Sequence, residues 1–230
     1  ILNWNGTTWT TVSSPNVGTF DDRLVSVSCS STIFCTAVGR YVSGSIVVTL
    51  ALVWDGNSWS AVASPNNGSG TNQLTSVSCN SASSCVSVGS YDDGVRFATL
   101  IMRWDGTSWS ITSSPNTGND SNSLTSVSCP TTTSCVAVGS FYDGNRDASL
   151  VMSWDGSAWS VATSPNTGSD GNFLQAVSCT GTTLCSAVGW FYSGARNQTL
   201  ALQSIDPNPP TPSTSSTTTT LVPVDPSDPV

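Results

Sequence analysis

The sequence has no histidine, no lysine and no glutamate. Its 14 acidic residues are all Asp and its 6 basic residues are all Arg, so the 230-residue chain carries a formal net charge of −8. Nucleic-acid binding depends on Lys and Arg at the phosphates, and this chain has few cations. The same deficit disfavours an anionic membrane surface. We therefore expect no nucleic acid and no membrane insertion among its interactions.

The missing side chains also limit catalysis. Without His, Lys or Glu a nucleophile–base triad cannot be assembled, and only Asp remains for acid–base chemistry. Asp55, Asp105 and Asp155 each begin an Asp-Gly turn, where a structural role is the common one. We predict that the protein is not an enzyme and has no catalytic residues. Other acids are expected to form solvated pairs with Arg96 and Arg146, worth under ~1 kcal/mol: Asp92, Asp93, Asp143 and Asp147.

Metal ligands are equally scarce. The segments "TGNDSN" and "TGSDGN" offer oxygen ligands for Ca²⁺, but they lack the spacing of a calcium loop. A zinc site would need CxxC-type spacing, usually with His. We expect no metal and no cofactor.

Long apolar runs are absent as well. The longest, Ile46–Trp54, is far short of the ~20 residues that cross a bilayer. No charged segment followed by an apolar one precedes the first repeat, and no initiator Met is present. We expect the sequence to be a processed or excised piece.

The 8 Cys residues form four pairs with one spacing of six residues. This regularity favours four local disulfides in a secreted protein. Each would close a small loop and contribute roughly 2 kcal/mol. The predicted disulfides are Cys29–Cys35, Cys79–Cys85, Cys129–Cys135 and Cys179–Cys185.

The Cys pairs belong to a 50-residue period that runs through four copies without insertion or deletion. Ser, Thr, Val and Gly dominate, which favours strands over helices. Each period contains four strand signals, as in "LTSVSC", "CVSVGSY", "FATLIMRW" and "WSITSS". The first two are expected to be joined by a five-residue turn, and a Trp pair should face across the last hairpin. A Pro-Asn-x-Gly turn ends the fourth strand.

Four antiparallel strands per period are typical of a β-propeller blade. The period resembles the hemopexin-type four-bladed propeller, and the Trp-Asp step resembles WD-repeat blades. The sequence is more similar to the Cys-paired "WDGxxWS…SPNxG…VSC…C.AVG" repeats of secreted bacterial proteins, which look like propeller modules. This resemblance covers Ile1 to Asp206. It implies an all-β, four-bladed β-propeller domain over residues 1–206.

The two ends of this domain complement each other. The last period lacks a "WDGxxWS" strand, and the first residues supply one. We therefore expect the N-terminal strand to close the last blade and complete a four-bladed ring.

Residues 207–230 differ sharply in composition and read as a Ser/Thr/Pro-rich extended linker. In a polyproline conformation it would span up to about 70 Å, enough to reach a neighbouring module. Its "TLVPV" segment could add a strand to a neighbour's edge, which makes Leu221, Val222 and Val224 candidate intersubunit contacts. A flexible linker is the alternative. Covalent O-glycans are expected on Thr211, Ser213, Thr214, Ser215, Ser216, Thr217, Thr218, Thr219 and Thr220. Weaker N-glycan acceptors are Asn5, Asn67, Asn119 and Asn197.

One recurring position is aromatic in every period, and the later periods add further aromatics beside it. Such a row stacks on sugar rings in propeller lectins, although aromatics also cover blade edges. The candidate sugar-stacking residues are Tyr41, Tyr91, Phe141, Tyr142, Trp190, Phe191 and Tyr192.

We expect an extracellular or cell-surface structural protein, in which a disulfide-clipped propeller joins head to tail with copies of itself. The product would be a glycosylated filament or tandem array. The alternative is a carbohydrate-binding propeller displayed on a glycosylated stalk.

Overall fold

The computed structural model describes residues 1–118 and 120–203 of the chain. This part consists of strands, turns and loops, and no helix in it has the length and apolar character needed to cross a membrane. Its strands are β1 (Leu2–Trp4), β2 (Trp9–Thr11), β3 (Asp22–Ser31), β4 (Phe34–Ser43), β5 (Ile46–Trp54), β6 (Trp59–Val62), β7 (Asn72–Ser81), β8 (Ser84–Asp92), β9 (Phe97–Trp104), β10 (Trp109–Thr112), β11 (Asn122–Thr131), β12 (Ser134–Tyr142), β13 (Asp147–Trp154), β14 (Trp159–Ala162), β15 (Asn172–Cys179), β16 (Cys185–Tyr192) and β17 (Asn197–Gln203).

The strands form antiparallel sheets in which each strand pairs with the next along the chain. The first sheet is β3-β4-β5-β6, the second β7-β8-β9-β10 and the third β11-β12-β13-β14. The fourth sheet has three strands in the described part, β15-β16-β17, and β1-β2 form a separate N-terminal hairpin. The predicted all-β repeat of four-stranded, propeller-like sheets is therefore confirmed for the first three sheets.

Burial explains why the strands differ in sequence. The middle strands are covered on both faces, so β9 is buried continuously from Ala98 to Met102 and is almost entirely apolar. The inner strand β7 alternates small polar and apolar residues. The outer strand β10 is short and exposes Ser110 and Ile111.

All four predicted disulfides are present, with Sγ–Sγ distances of 1.99–2.09 Å. The predicted five-residue turn between the paired cysteines is shorter in the first three sheets. There the strands continue beyond the cysteines, and Ser31 pairs with Phe34 across a two-residue turn. In the fourth sheet the strands stop at Cys179 and Cys185, so the five-residue turn remains.

The predicted tryptophan pairs lie across the outer hairpins. Trp104 and Trp109 are directly opposite in the ladder, with ring centroids 5.6 Å apart. The other three pairs have centroids 5.5–5.8 Å apart. The turn between Trp104 and Trp109 contains Gly106, whose φ of 102° favours glycine. Aromatic pairs of this kind add about 0.5–1.5 kcal/mol beyond area burial.

Successive sheets pack face to face and bury a core between each pair. Between the second and third sheets, Val88 and Ile101 meet Leu124, Val127 and Leu150. Equivalent residues fill the junctions between the first and second and between the third and fourth sheets. A guanidinium crosses the second junction, where Arg103 lies 4.5 Å from the ring centroid of Trp154. The three internal junctions thus share one apolar pattern, and the guanidinium contact distinguishes the second, because Val53 and Ser153 occupy the equivalent position in the other two.

The ring closure expected from the sequence is not seen in the described part of the chain. β2 pairs with β1 instead of β17, and Ile1 packs against the cluster of Ala37, Leu50 and Leu52 in the first sheet. The physical reason is that Leu2–Trp4 is the period equivalent of the end of a third strand, so it offers β2 a partner after a very short loop. The described sheets therefore form an open row. This row curves, because one cavity is lined by equivalent inner-strand residues of all four sheets: Val25, Thr75, Thr125 and Gln175.

Candidate interaction surfaces

The acidic side chains of the Asp-Gly turns serve as structural hydrogen-bond acceptors. Asp105 Oδ1 accepts the backbone N–H groups of Thr107 and Ser108, both at 2.8 Å. These bonds and the Thr107 hydroxyl lower the pKa of Asp105 to about 2. The pKa values of Asp55 and Asp155 are lowered by the same kind of bonds. A carboxyl group held ionised in this way is a poor proton donor near neutral pH. The turn hydrogen bonds agree with the structural role expected for these Asp residues.

The second group of acids lies at the hairpins that join the second and third strands of the sheets. Backbone N–H groups in these turns lower the pKa of Asp93 and Asp143, which lie 3.7 and 3.8 Å from Arg96 and Arg146. Burial, followed by the charges of Asp120 and Asp143, raises the pKa of Asp147. No group of three or more metal-ligating side chains was found in the described residues.

The recurring aromatic position packs against the sheets. Tyr41, Tyr91, Phe141 and Phe191 are partly buried and each contacts one of the apolar clusters. Trp190 stacks on Phe173, with ring centroids 4.1 Å apart. Of the candidate sugar-stacking residues, Tyr192 is exposed and Tyr142 is half-buried. These contacts favour the structural interpretation of the row, and sugar binding remains a prediction.

Serine hydroxyls connect neighbouring sheets at their inner strands, a contact that the sequence analysis did not identify. Ser26 Oγ accepts the N–H of Val77 at 3.1 Å, and Ser28 Oγ accepts the N–H of Cys79 at 3.0 Å. The second junction repeats both bonds with Ser76 and Ser78, and the third with Ser126 and Ser128. The recurrence of Ser at these two positions was the available signal.

Two faces at the ends of the row carry unmatched halves of this junction. The start face is the surface of the first sheet turned away from the second, and includes Leu24 and Val27. Val27 is 58% exposed, whereas its equivalents Val77, Val127 and Val177 are 5–9% exposed. The end face is the surface of the fourth sheet turned away from the third, and includes Ala176, Ser178 and Val188. Val188 is 49% exposed, whereas its equivalents in the first three sheets are fully buried: Val38, Val88 and Val138.

The Ser-Pro-Asn segments make a second recurring contact. Asn116 Oδ1 accepts the N–H of buried Thr99 at 2.8 Å, and the Thr99 and Ser114 hydroxyls lie 2.8 Å apart. The equivalent bond joins Asn66 to Thr49 and Asn166 to Ser149. The N-terminal copy of the segment contains Asn16, which is exposed, and the last copy of the threonine position is Thr199, which is also exposed. The two ends of the row therefore also carry the two halves of this contact.

Several predicted sites lie outside the described residues. These are the proposed O-glycan acceptors between 211 and 220, the tail contacts Leu221, Val222 and Val224, and the sequon at Asn119. Of the remaining sequon residues, Asn5 and Asn197 are exposed. Asn5 Oδ1 also accepts the N–H groups of Thr7 and Thr8 within its own turn.

No family model matches the chain, and no curated protein matches it. Solved structures do match, among them one described as "YCF48 bound to D1 peptide". That match has a TM-score of 0.45 and 17% identity, and it covers 85% of this chain and 57% of the other. The chain thus spans somewhat more than half the length of that protein.

Proposed function

We propose that this chain is a structural module of an extracellular protein, which joins end to end with further copies of itself in a filament or array. The observation that carries the proposal is the pair of unmatched end faces. A contact between two different surfaces can be repeated from copy to copy, and it produces a filament or array unless the rotation between successive copies closes a ring. The module has a start face and an end face that are halves of a junction it already forms three times.

Its internal chemistry supports a structural role. Four disulfides are typical of an oxidising compartment such as the cell exterior. The described Asp residues of the Asp-Gly turns are engaged in turn hydrogen bonds, and the recurrent aromatics are engaged in packing. We propose no catalytic activity for the module.

The Ser/Thr/Pro segment 207–230 is proposed as a glycosylated linker between modules. Its composition cannot bury a core, and hydroxyl side chains in such a segment are common acceptors of O-glycans. Leu221, Val222 and Val224 are proposed to contact the neighbouring module.

A closed four-bladed ring, the finer prediction from the sequence, would match the end faces within one chain. To close the ring, β2 would have to separate from β1 and pair with β17, because β1 and β17 would bind the same edge of β2. The closed ring would be a self-sufficient bead, joined to its neighbours through the tail alone. In the closed ring the end faces hold together a single chain, whereas in the open row they hold together several copies. The two arrangements therefore differ in particle mass.

The test is the assembly state of the full chain. Analytical ultracentrifugation over a wide concentration range should show growth beyond a dimer without a limiting size, and electron microscopy should show linear particles. A chain that stays monomeric at every concentration would refute the proposal. Intact mass from the natural source, before and after deglycosylation, should reveal glycans on residues 211–220.

The carbohydrate-binding alternative has a separate test. A glycan array probed with the labelled chain should give no selective signal if the aromatics serve only packing. A selective signal that is lost when Tyr192 is replaced by Ala would instead establish a sugar site at the fourth sheet.

A further inference from the structure

The three internal junctions define which atoms a fourth, external junction would use. In each, the polar and apolar contacts relate a residue of one sheet to a residue about 50 positions later in the next. If the fourth sheet formed the same contacts with a following sheet, its end face would lie against a surface like the start face of the first sheet. We propose that the partner of the end face is the start face of a second copy of this chain. This inference rests on the proposed function and assigns its contact.

The apolar half of the contact is available at both ends. In the first junction, Val38 belongs to the same buried cluster as Leu74 and Val77. Their equivalents at the ends are Val188 on one copy and Leu24 and Val27 on the other. Val188 and Val27 are about half exposed in the isolated chain, so docking removes apolar surface from water, the main favourable term in association.

The pair of serine contacts is incomplete at the end face because of one substitution. The two accepting serines of each junction correspond in the fourth sheet to Ala176 and Ser178. Ser178 is exposed and keeps the hydroxyl that would accept the N–H of Cys29 of the second copy. Ala176 has no hydroxyl, so the N–H of Val27 would lack the acceptor that Val77, Val127 and Val177 have.

The outer part of the contact requires an exchange of strands. Ile1 packs on Leu50 and Leu52 as Ala51 packs with Leu100 and Met102. Ala201 of the first copy is the period equivalent of Ile1 and Ala51, and it would take the place of Ile1 of the second copy. The end of β17 then replaces β1 as the partner of β2. This strand exchange adds little to the free energy of association, because the short pairing of β2 with β17 replaces the short pairing of β2 with β1. The external junction is therefore weaker than the internal ones and depends on concentration.

The missing hydroxyl gives a gain-of-function test. Ala176→Ser restores the acceptor on an exposed residue, and one hydrogen bond should lower the dissociation constant about 3- to 10-fold. Ser178→Ala should raise it by a similar factor. The matched control is Ala158→Ser, the same chemical change at an exposed turn position where Ser58 and Ser108 occur naturally. Sedimentation velocity of the full-length variants gives the constants, and their thermal unfolding should stay close to that of the parent.

Cross-linking decides whether the partner face belongs to a second copy. Val27→Cys and Val188→Cys are placed in separate full-length chains, mixed, and treated with a short bis-maleimide. We expect a covalent pair of twice the monomer mass. The control mixes Val188→Cys with Val95→Cys, because Val95 is 91% exposed on a hairpin turn away from both faces.

The outcomes separate this inference from the function on which it rests. Tighter association of Ala176→Ser together with the mixed cross-link supports the inference. If Ala176→Ser and Ser178→Ala assemble with the same dissociation constant as the parent, the inference is wrong. An end-to-end structural role made by other contacts would then remain. If the double variant of Val27 and Val188 cross-links only within a monomer, the ring is closed and the inference is wrong. A chain that never assembles refutes the proposed function itself.

Discussion

The hydrogen bond between Asn116 and Thr99 allows a quantitative test of what holds the Ser-Pro-Asn segments in place. Thr99 is only 3% exposed, and its N–H donates to Asn116 Oδ1 at 2.8 Å. Replacing Asn116 with Ala leaves a buried donor that water cannot easily reach, which costs about 1–3 kcal/mol. We expect this loss in the free energy of unfolding from urea titration, and roughly 2–4 °C in Tm for each kcal/mol.

The chain contains its own control for this prediction. Asn16 occupies the equivalent position before the first sheet, is exposed, and has no threonine N–H opposite it in the described residues. At concentrations where the chain is monomeric, Asn16→Ala should change the free energy of unfolding by less than about 0.5 kcal/mol. Equal losses in the two variants would show that the amide acts through its own loop and not through the bond to Thr99, and the reasoning would fail.

Three further predictions concern the other stabilising contacts. Replacing Cys129 and Cys135 together by Ala should lower the free energy of unfolding in urea by about 2 kcal/mol, because the small loop they close limits the entropy lost; an unchanged value would contradict this. The folded-state pKa of Asp105 is lowered to about 2, so its stabilising contribution is complete above the unfolded pKa near 3.9 and is lost as the pH falls towards 2. Asp105→Asn should flatten stability in this pH window while keeping the fold, as Asn5 does in its own turn, and an unaltered acid profile would count against it. Arg103→Ala should cost about 1 kcal/mol through the lost contact with Trp154. Arg146→Ala, at a partly exposed ion pair with Asp143, should cost less in the same urea titration.

Much of the fold was predictable because the same segment recurs at a fixed interval. A strand or turn that is ambiguous in one copy can be identified from the others. The strands, the disulfides and the pairing of Trp104 with Trp109 could therefore all be inferred. The ends of the strands were harder. The length of β10 is limited by the bonds of Ser114 and Asn116 to Thr99, which join residues far apart in sequence and leave no local pattern.

The arrangement of the ends was not predictable from the pattern alone. The sequence identifies residues 9–12 as an unpaired fourth strand and β17 as a third strand in need of one. It does not distinguish pairing within one chain from pairing between chains, because both give residues 9–12 and β17 the same hydrogen-bonded partner. The local hairpin of β1 and β2 adds a third solution with a lower entropic cost of loop closure. The structure has this third solution, and the serine contacts that define the junctions were visible in the sequence only as recurring Ser.

The tail and the end faces would join the same two neighbours, so their contributions to assembly are linked. When one contact forms, it raises the effective concentration of the other, and two weak contacts give a much tighter assembly than either alone. We therefore predict that Val222→Asp with Val224→Asp, and separately Ser178→Ala, each weaken assembly without abolishing it. Combining all three changes should weaken it beyond either variant when measured by sedimentation at one fixed concentration. The control for the tail is Val230→Asp at the far end of the segment. If the Val222 and Val224 variant assembles like the parent, the tail makes no contact there and the end faces hold the modules together by themselves.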